Sequence, residues 1–154
     1  MGKGNKKLAD SAALQLLTLC NGNAPLMTKA QIVQQEFNKV RTVDKLVKNQ
    51  SQLMLNKVLH STRAMDTGMR TLLELYGAMP ANQYSMGAYL VQLRKGKDGG
   101  FGRLNGELSK RIQTTVVDKR NRFLHAAGQY PTKSEAEQII GDVESYLQTI
   151  LNLA

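Results

Sequence analysis

Apolar residues recur along this chain at intervals of three and four, the spacing that gathers them on one face of an α-helix. No segment sustains the two-residue alternation of a half-buried strand. Residues 8 to 20 place Leu8, Ala12, Leu16 and Leu19 at helical spacing and predict a first, short helix. From Thr28 to Tyr76 helical character is nearly continuous, opening on a Thr28/Gln31 capping box followed by Ile32, Val33, Phe37 and Val40. One unbroken rod over that span would be about 74 Å long at 1.5 Å per residue, too long for a compact domain of this size. A break is therefore expected near "KNQSQ" (48 to 52), or else a projecting helix that pairs with another subunit. Gly77 and Pro80 end the stretch.

Residues 84 to 95 predict a short helix and residues 104 to 127 a long one, with Gly106 weakening its first turn. The last helix has a marked start, because Pro131 precedes a Thr132/Glu135 capping box and Glu137 suits the positive helix end. Ile139, Val143, Tyr146, Leu147 and Ile150 then form its core stripe. The expected fold is all-α, a bundle of four to five main helices with an additional N-terminal helix. A single domain spans 1–154, with 1–27 as the N-terminal helix and linker and 28–154 as the bundle.

Composition adds little to the fold and more to the function. With 42% apolar residues, no Trp and 5% aromatics, the core must be built from Leu, Ile, Val, Met and Ala. The single cysteine, Cys20, excludes an internal disulfide and fits a reducing compartment. In "MGKGNKKLADSAALQLLTLC", Asp10, Gln15 and Thr18 interrupt the apolar run and Leu19 is too large for a cleavage site, so an amphipathic helix is expected there rather than a leader. No run approaches the ~20 apolar residues of a membrane span. The expectation is a soluble, cytoplasmic protein with no membrane partner.

Charge is uneven. The formal +9 concentrates between residues 94 and 122, where nine Lys/Arg face three Asp/Glu, while residues 134 to 154 hold four acids and no base. Such a basic stretch suits a polyanion, unless it is simply a solvated face. "RKGKDGGFGR" (94 to 103) reads as a flexible loop with Arg94, Lys95 and Arg103 available to an RNA backbone. It lacks the Gly-x4-Gly-Lys-Ser/Thr spacing of a P-loop and follows no strand. Two separated histidines and one cysteine provide no metal-ligand cluster, so neither metal nor cofactor is expected.

One helix resists a purely structural reading. On a wheel with Ile112 at zero, Phe123, Val116 and Ala127 fall within roughly 20° to 60° and Leu124 and Val117 near 120° and 140°, so Arg120, near 80°, lands inside the apolar arc. Asn121 and His125 lie one turn apart on its polar edge. An isolated buried guanidinium costs several kcal/mol unless it is met by an anion. The anion is either a carboxylate such as Glu74 or Glu107, or a phosphate. His60, the other histidine, reads as structural or surface and not as a second catalytic imidazole.

Arg120-Asn121-Arg122-Phe123-Leu124-His125 resembles the signature of the HEPN (higher eukaryotes and prokaryotes nucleotide-binding) superfamily. That signature is Arg, four to six residues, then His, with a polar residue directly after the Arg in most members. The resemblance covers residues 104 to 152 in detail, and its setting late in a small helical bundle agrees. It implies a metal-independent endoribonuclease that acts as a homodimer, with motif helices of two subunits meeting in one cleft. In that role Arg120, Asn121 and His125 are catalytic and Lys119 and Arg122 hold flanking phosphates. A toxin or defence role with an antitoxin or regulatory protein as partner is also implied. In members controlled by a nucleotidyltransferase, the modified tyrosine lies two residues beyond the motif His. That position is Ala127 here, and Tyr130 lies five beyond. Two other classes remain open: a non-catalytic HEPN module that binds RNA, nucleotide or protein, and a helical interaction protein whose motif is coincidental.

Overall fold

Side-chain caps set the helix starts. The computed structural model describes residues 6–154, with side chains from Ala9 onward, so Leu8 of the expected first stripe lies outside the described side chains. Helix α1 (Lys6–Leu19) is followed by α2 (Ala24–Thr42), α3 (Gln50–Leu75), α4 (Met86–Lys95), α5 (Gly106–Ile112), α6 (Asp118–His125) and α7 (Lys133–Leu151). A 3-10 turn (Val43–Lys45) follows α2 and a π turn (Gln113–Val117) joins α5 to α6. No strand occurs among the described residues, and the all-α bundle expected from the sequence is the fold.

The long 28–76 segment does break. Helix α2 ends at Thr42, and α3 restarts behind Asn49, whose side chain accepts from the Gln52 N–H at 3.1 Å. Its beginning differs from the expectation. Asn23, not Thr28, is the cap, accepting from the Leu26 N–H at 3.3 Å, and Pro25 fits the first turn because it has no N–H to leave unmet. Thr28 instead donates its hydroxyl to the Ala24 carbonyl. Gly106 lies in the first turn of its helix, as expected, and opens α5 behind an Asn105 cap. The Thr132/Glu135 capping box of α7 forms in both directions, at 3.1 Å each.

Helices α2, α3 and α7 make the centre, and α1 lies across α2 and α7. Val33, Phe37, Met65, Met69, Leu72, Ile139, Val143 and Leu147 are sealed within it. Helix α3 packs tightly on α7 at Gly68, where a Cβ would stand 2.9 Å from Leu147 Cδ1. Ion pairs tie α2 to α3. Lys29 and Arg70 both reach Glu74, and His60 Nδ1 lies 2.7 Å from Glu36 Oε2, giving His60 the structural place expected of it. Burial alone would raise the Glu74 carboxyl, but hydrogen bonds from Lys29 and Arg70 outweigh it and hold the group below the ordinary range.

The basic glycine-rich segment is not the loose loop expected. It folds into a tight hairpin in which the Lys97 N–H donates to the Phe101 carbonyl at 2.9 Å, with Gly96 and Gly99 at positive φ. Phe101 and Leu104 are buried, and Phe101 meets the Tyr76 ring at 5.7 Å. Backbone bonds from Gly102 to Leu153 and from Leu104 to Leu93 pin the hairpin to both neighbouring chain segments. Among the described residues no helix is long and apolar enough to cross a membrane.

Two glycines on facing helices are expected to respond oppositely to a side chain. Gly68→Val drives atoms into Leu147 and should destabilise the fold by about 1–3 kcal/mol. Gly141→Ala, in the open on α7, should stabilise it by about 0.5–1 kcal/mol. Equilibrium urea unfolding distinguishes them, and a neutral Gly68→Val contradicts the close α3–α7 contact.

Candidate functional site

The helix bearing the candidate residues changes its winding just before it reaches them. Thr114, Thr115, Val116 and Val117 place four β-branched residues in succession, which crowds a tight α-turn. The Thr115 hydroxyl donates to the Arg111 carbonyl at 2.7 Å and the Thr114 hydroxyl to the Lys110 carbonyl at 3.2 Å, loosening the backbone ladder there. The Asp118 N–H then reaches the Gln113 carbonyl, five residues back. Gln113 Nε2 donates to Asp118 Oδ1 at 2.8 Å and spans the same widened ring. The additional residue in the ring turns α6 by roughly 100° relative to an unbroken helix. Val116 and Val117 are consequently both buried, and Leu124, expected at the edge of the apolar arc, is 43% exposed.

Arg120 stays on the core side, half-buried. Its Nε is sealed from solvent and has no acceptor among the described residues. Leaving such a donor unmet costs about 1–3 kcal/mol. The acids proposed from sequence do not answer it, since Glu74 is held by Lys29 and Arg70 and Glu107 stands exposed at the far end of the same helix. The acid whose charge Arg120 does meet is Asp66 on α3. Burial pushes the Asp66 carboxyl up, and the positive charges of Arg120 and then Arg70 pull it back. No hydrogen bond or ion pair closes between Arg120 and Asp66. The guanidinium is attracted without being tied.

His125 is the last residue of α6 and is exposed. The Ala126 N–H closes the helix onto the Arg122 carbonyl, and Gly128 at φ +76° turns the chain toward Pro131. A recess of about 280 Å³ opens at this turn. Leu55, Phe123 and Leu124 give it apolar walls, and His125, Gln129 and Tyr130 its polar ones. Tyr130 Oη accepts from Gln52 Nε2 at 3.2 Å, which fastens the turn to the start of α3.

Arg120 does not line that recess. Five residues apart on a helix, Arg120 and His125 are offset by about 7.5 Å along the axis and about 140° around it. Asn121 is exposed between them and Lys119 is half-buried. Arg122 is committed elsewhere. It pairs with Glu135 at 3.1 Å and lies 4.8 Å over the Phe123 ring, joining α6 to the start of α7. Arg94 and Lys95 sit in the last turn of α4 and Arg103 on the return of the hairpin, whose Gly96 it covers. They flank the beginning of the 106–125 helix, not its His125 end. Among the described residues no three His, Cys, Asp or Glu side chains gather into a metal-holding group.

Sequence reasoning missed Asp66 and the π turn. Asp66 carries no local signal, because its relation to Arg120 exists only once α3 and α6 pack together. The π turn had one, the unbroken run of β-branched residues ahead of Asp118.

No family model, curated protein or solved structure matches the chain. The side chains alone therefore carry the functional reading.

The folded chain holds the Asp66 proton more tightly than the unfolded one. Ionising Asp66 therefore costs stability as pH rises from the ordinary carboxylate range through its folded value. Arg120→Met removes an opposing charge, so the Asp66 titration midpoint, followed by carboxyl NMR, should move further up. An unchanged midpoint contradicts the Arg120–Asp66 relation.

Proposed function

We propose that this chain is a metal-independent endoribonuclease of the HEPN type, cleaving RNA through attack by its own 2′-hydroxyl in a site shared by two copies. The observation that carries the reading is Arg120, a half-buried guanidinium that closes no ion pair with a described residue, five residues before an exposed His125 at a recess. A guanidinium binds phosphate oxygens through parallel donors and keeps its charge throughout a reaction. Imidazole accepts or donates a proton near neutral pH.

The reaction needs a base to take the 2′-hydroxyl proton, a cation for the charge that develops on phosphorus, and an acid for the departing 5′-oxygen. One chain has a single histidine in the motif. The angular offset between Arg120 and His125 also keeps one chain's pair from facing the same phosphate directly. A two-fold copy removes both deficits, placing the His125 of one copy opposite the Arg120 of the other and supplying the second imidazole. Asn121, exposed between the two, would orient a phosphate oxygen or the ring.

A second reading, a non-catalytic module that binds RNA, draws on the same offset. It predicts salt-sensitive RNA binding without products.

Purified protein incubated with a mixed RNA pool separates the two. His125→Ala is expected to slow cleavage by about 10²–10⁴ and Arg120→Ala by about 10²–10³. Activity should survive EDTA and leave 2′,3′-cyclic phosphate ends. Folded variants that cut as well as the parent, or a strict requirement for Mg²⁺, overturn the catalytic reading.

A further inference from the structure

The 106–125 helix has a second opening at its other end. A cleft of about 680 Å³ lies between α4 and α5. Leu90 and Val91 form its apolar side, and Val91 is 50% exposed. Two glycines keep the cleft from filling. A Cβ on Gly87 would come within 3.4 Å of Gln113 Oε1, and a Cβ on Gly106 within 3.7 Å of Arg94 Nη2. Each glycine thus lies beneath a long polar side chain from the opposite helix. Arg94 and Lys110 bring positive charge to the two walls, and neither forms an ion pair with a described residue. Glu107 offsets part of that charge at the rim. The surrounding segment remains strongly basic, with six Lys/Arg against two Asp/Glu between residues 94 and 113.

We propose that this cleft is a second RNA contact, where Arg94 and Lys110 hold phosphates of a single strand and Leu90 and Val91 take the apolar face of a base or ribose. The proposal rests on the reading of RNA as the ligand of this chain. Fifteen residues of nearly continuous helix separate Lys110 from His125, about 22 Å. A strand lying along it therefore meets the cleft several nucleotides from the bond at His125. The cleft lining has no aromatic platform, and its two amides are engaged, Asn105 by the Leu108 N–H and Gln113 by Asp118, so it positions the strand without selecting its sequence. Ion pairing to phosphates makes its contribution salt-dependent.

The test measures binding alone. The full chain carrying His125→Ala, which keeps the probe intact, is titrated into a labelled single-stranded RNA of roughly twenty nucleotides over a range of salt. Adding Arg94→Gln and Lys110→Gln is expected to weaken binding about tenfold or more at low salt. The slope of log affinity against log salt should fall by about 1.4, the value for two lost single-strand phosphate contacts. Adding Glu107→Gln instead should tighten binding. That gain of function cannot arise from damage to the fold. Affinity and slope unchanged by the double substitution, with helicity retained, overturn the proposal and leave His125 catalysis standing. RNA held through Arg94 and Lys110 by a parent chain that never cuts would instead overturn the catalytic reading and keep the cleft.

Discussion

A guanidinium cannot give up its charge, so a helix that turns one toward the core needs an anion to meet it. Arg120 is in that position. Val116, Val117 and Phe123 on the same helix are buried, its Nε is sealed, and the carboxyl that attracts it, Asp66, does not bond to it. Several local features converge on keeping it there. The π turn rotates α6 by the extra residue, Gln113 and Asp118 fasten that turn from outside, and Arg122 with Glu135 fixes the far end of α6 against α7. A structural arginine would be expected to end in a closed ion pair, as Arg70 and Arg41 do here. This one is held short of closure.

Much of the fold was legible because local chemistry dictates where helices start and stop. The Thr132/Glu135 box, the Gly77 and Pro80 stop and the break before α3 need only side chains a few residues apart, and all appear as read. The errors are equally local. A Thr28/Gln31 pair resembles a cap, but Asn23 with Pro25 behind it is the stronger start and captures the helix one turn earlier. The glycine-rich basic segment reads as loose because glycines and lysines dominate it. Phe101 and Leu104 bury themselves nonetheless and pull it into a pinned hairpin.

The candidate site was half legible. Spacing alone marks Arg120 and His125, and the wheel places the arginine correctly on the core side. A wheel assumes uniform winding, however, and so cannot register the widened turn or the exposure of Leu124 that accompanies it. Nor can it find partners supplied by packing. Asp66 stands on another helix more than fifty residues earlier, and Gln52 reaches Tyr130 only because the end of α6 returns over the start of α3. Among the basic residues, sequence could not separate Arg122, occupied by Glu135, from Arg94, which faces an open cleft.

The central claim is that Arg120 and His125 answer the same phosphodiester. Side-chain NMR of the protein with an RNA strand rendered uncleavable by 2′-deoxy substitution reads this directly, through the Arg120 Nε–H and the His125 ring signals. Both should move together along one binding curve as the guanidinium and the ring meet the phosphate. Saturation of the protein by the strand with the Arg120 signal unmoved would contradict the account.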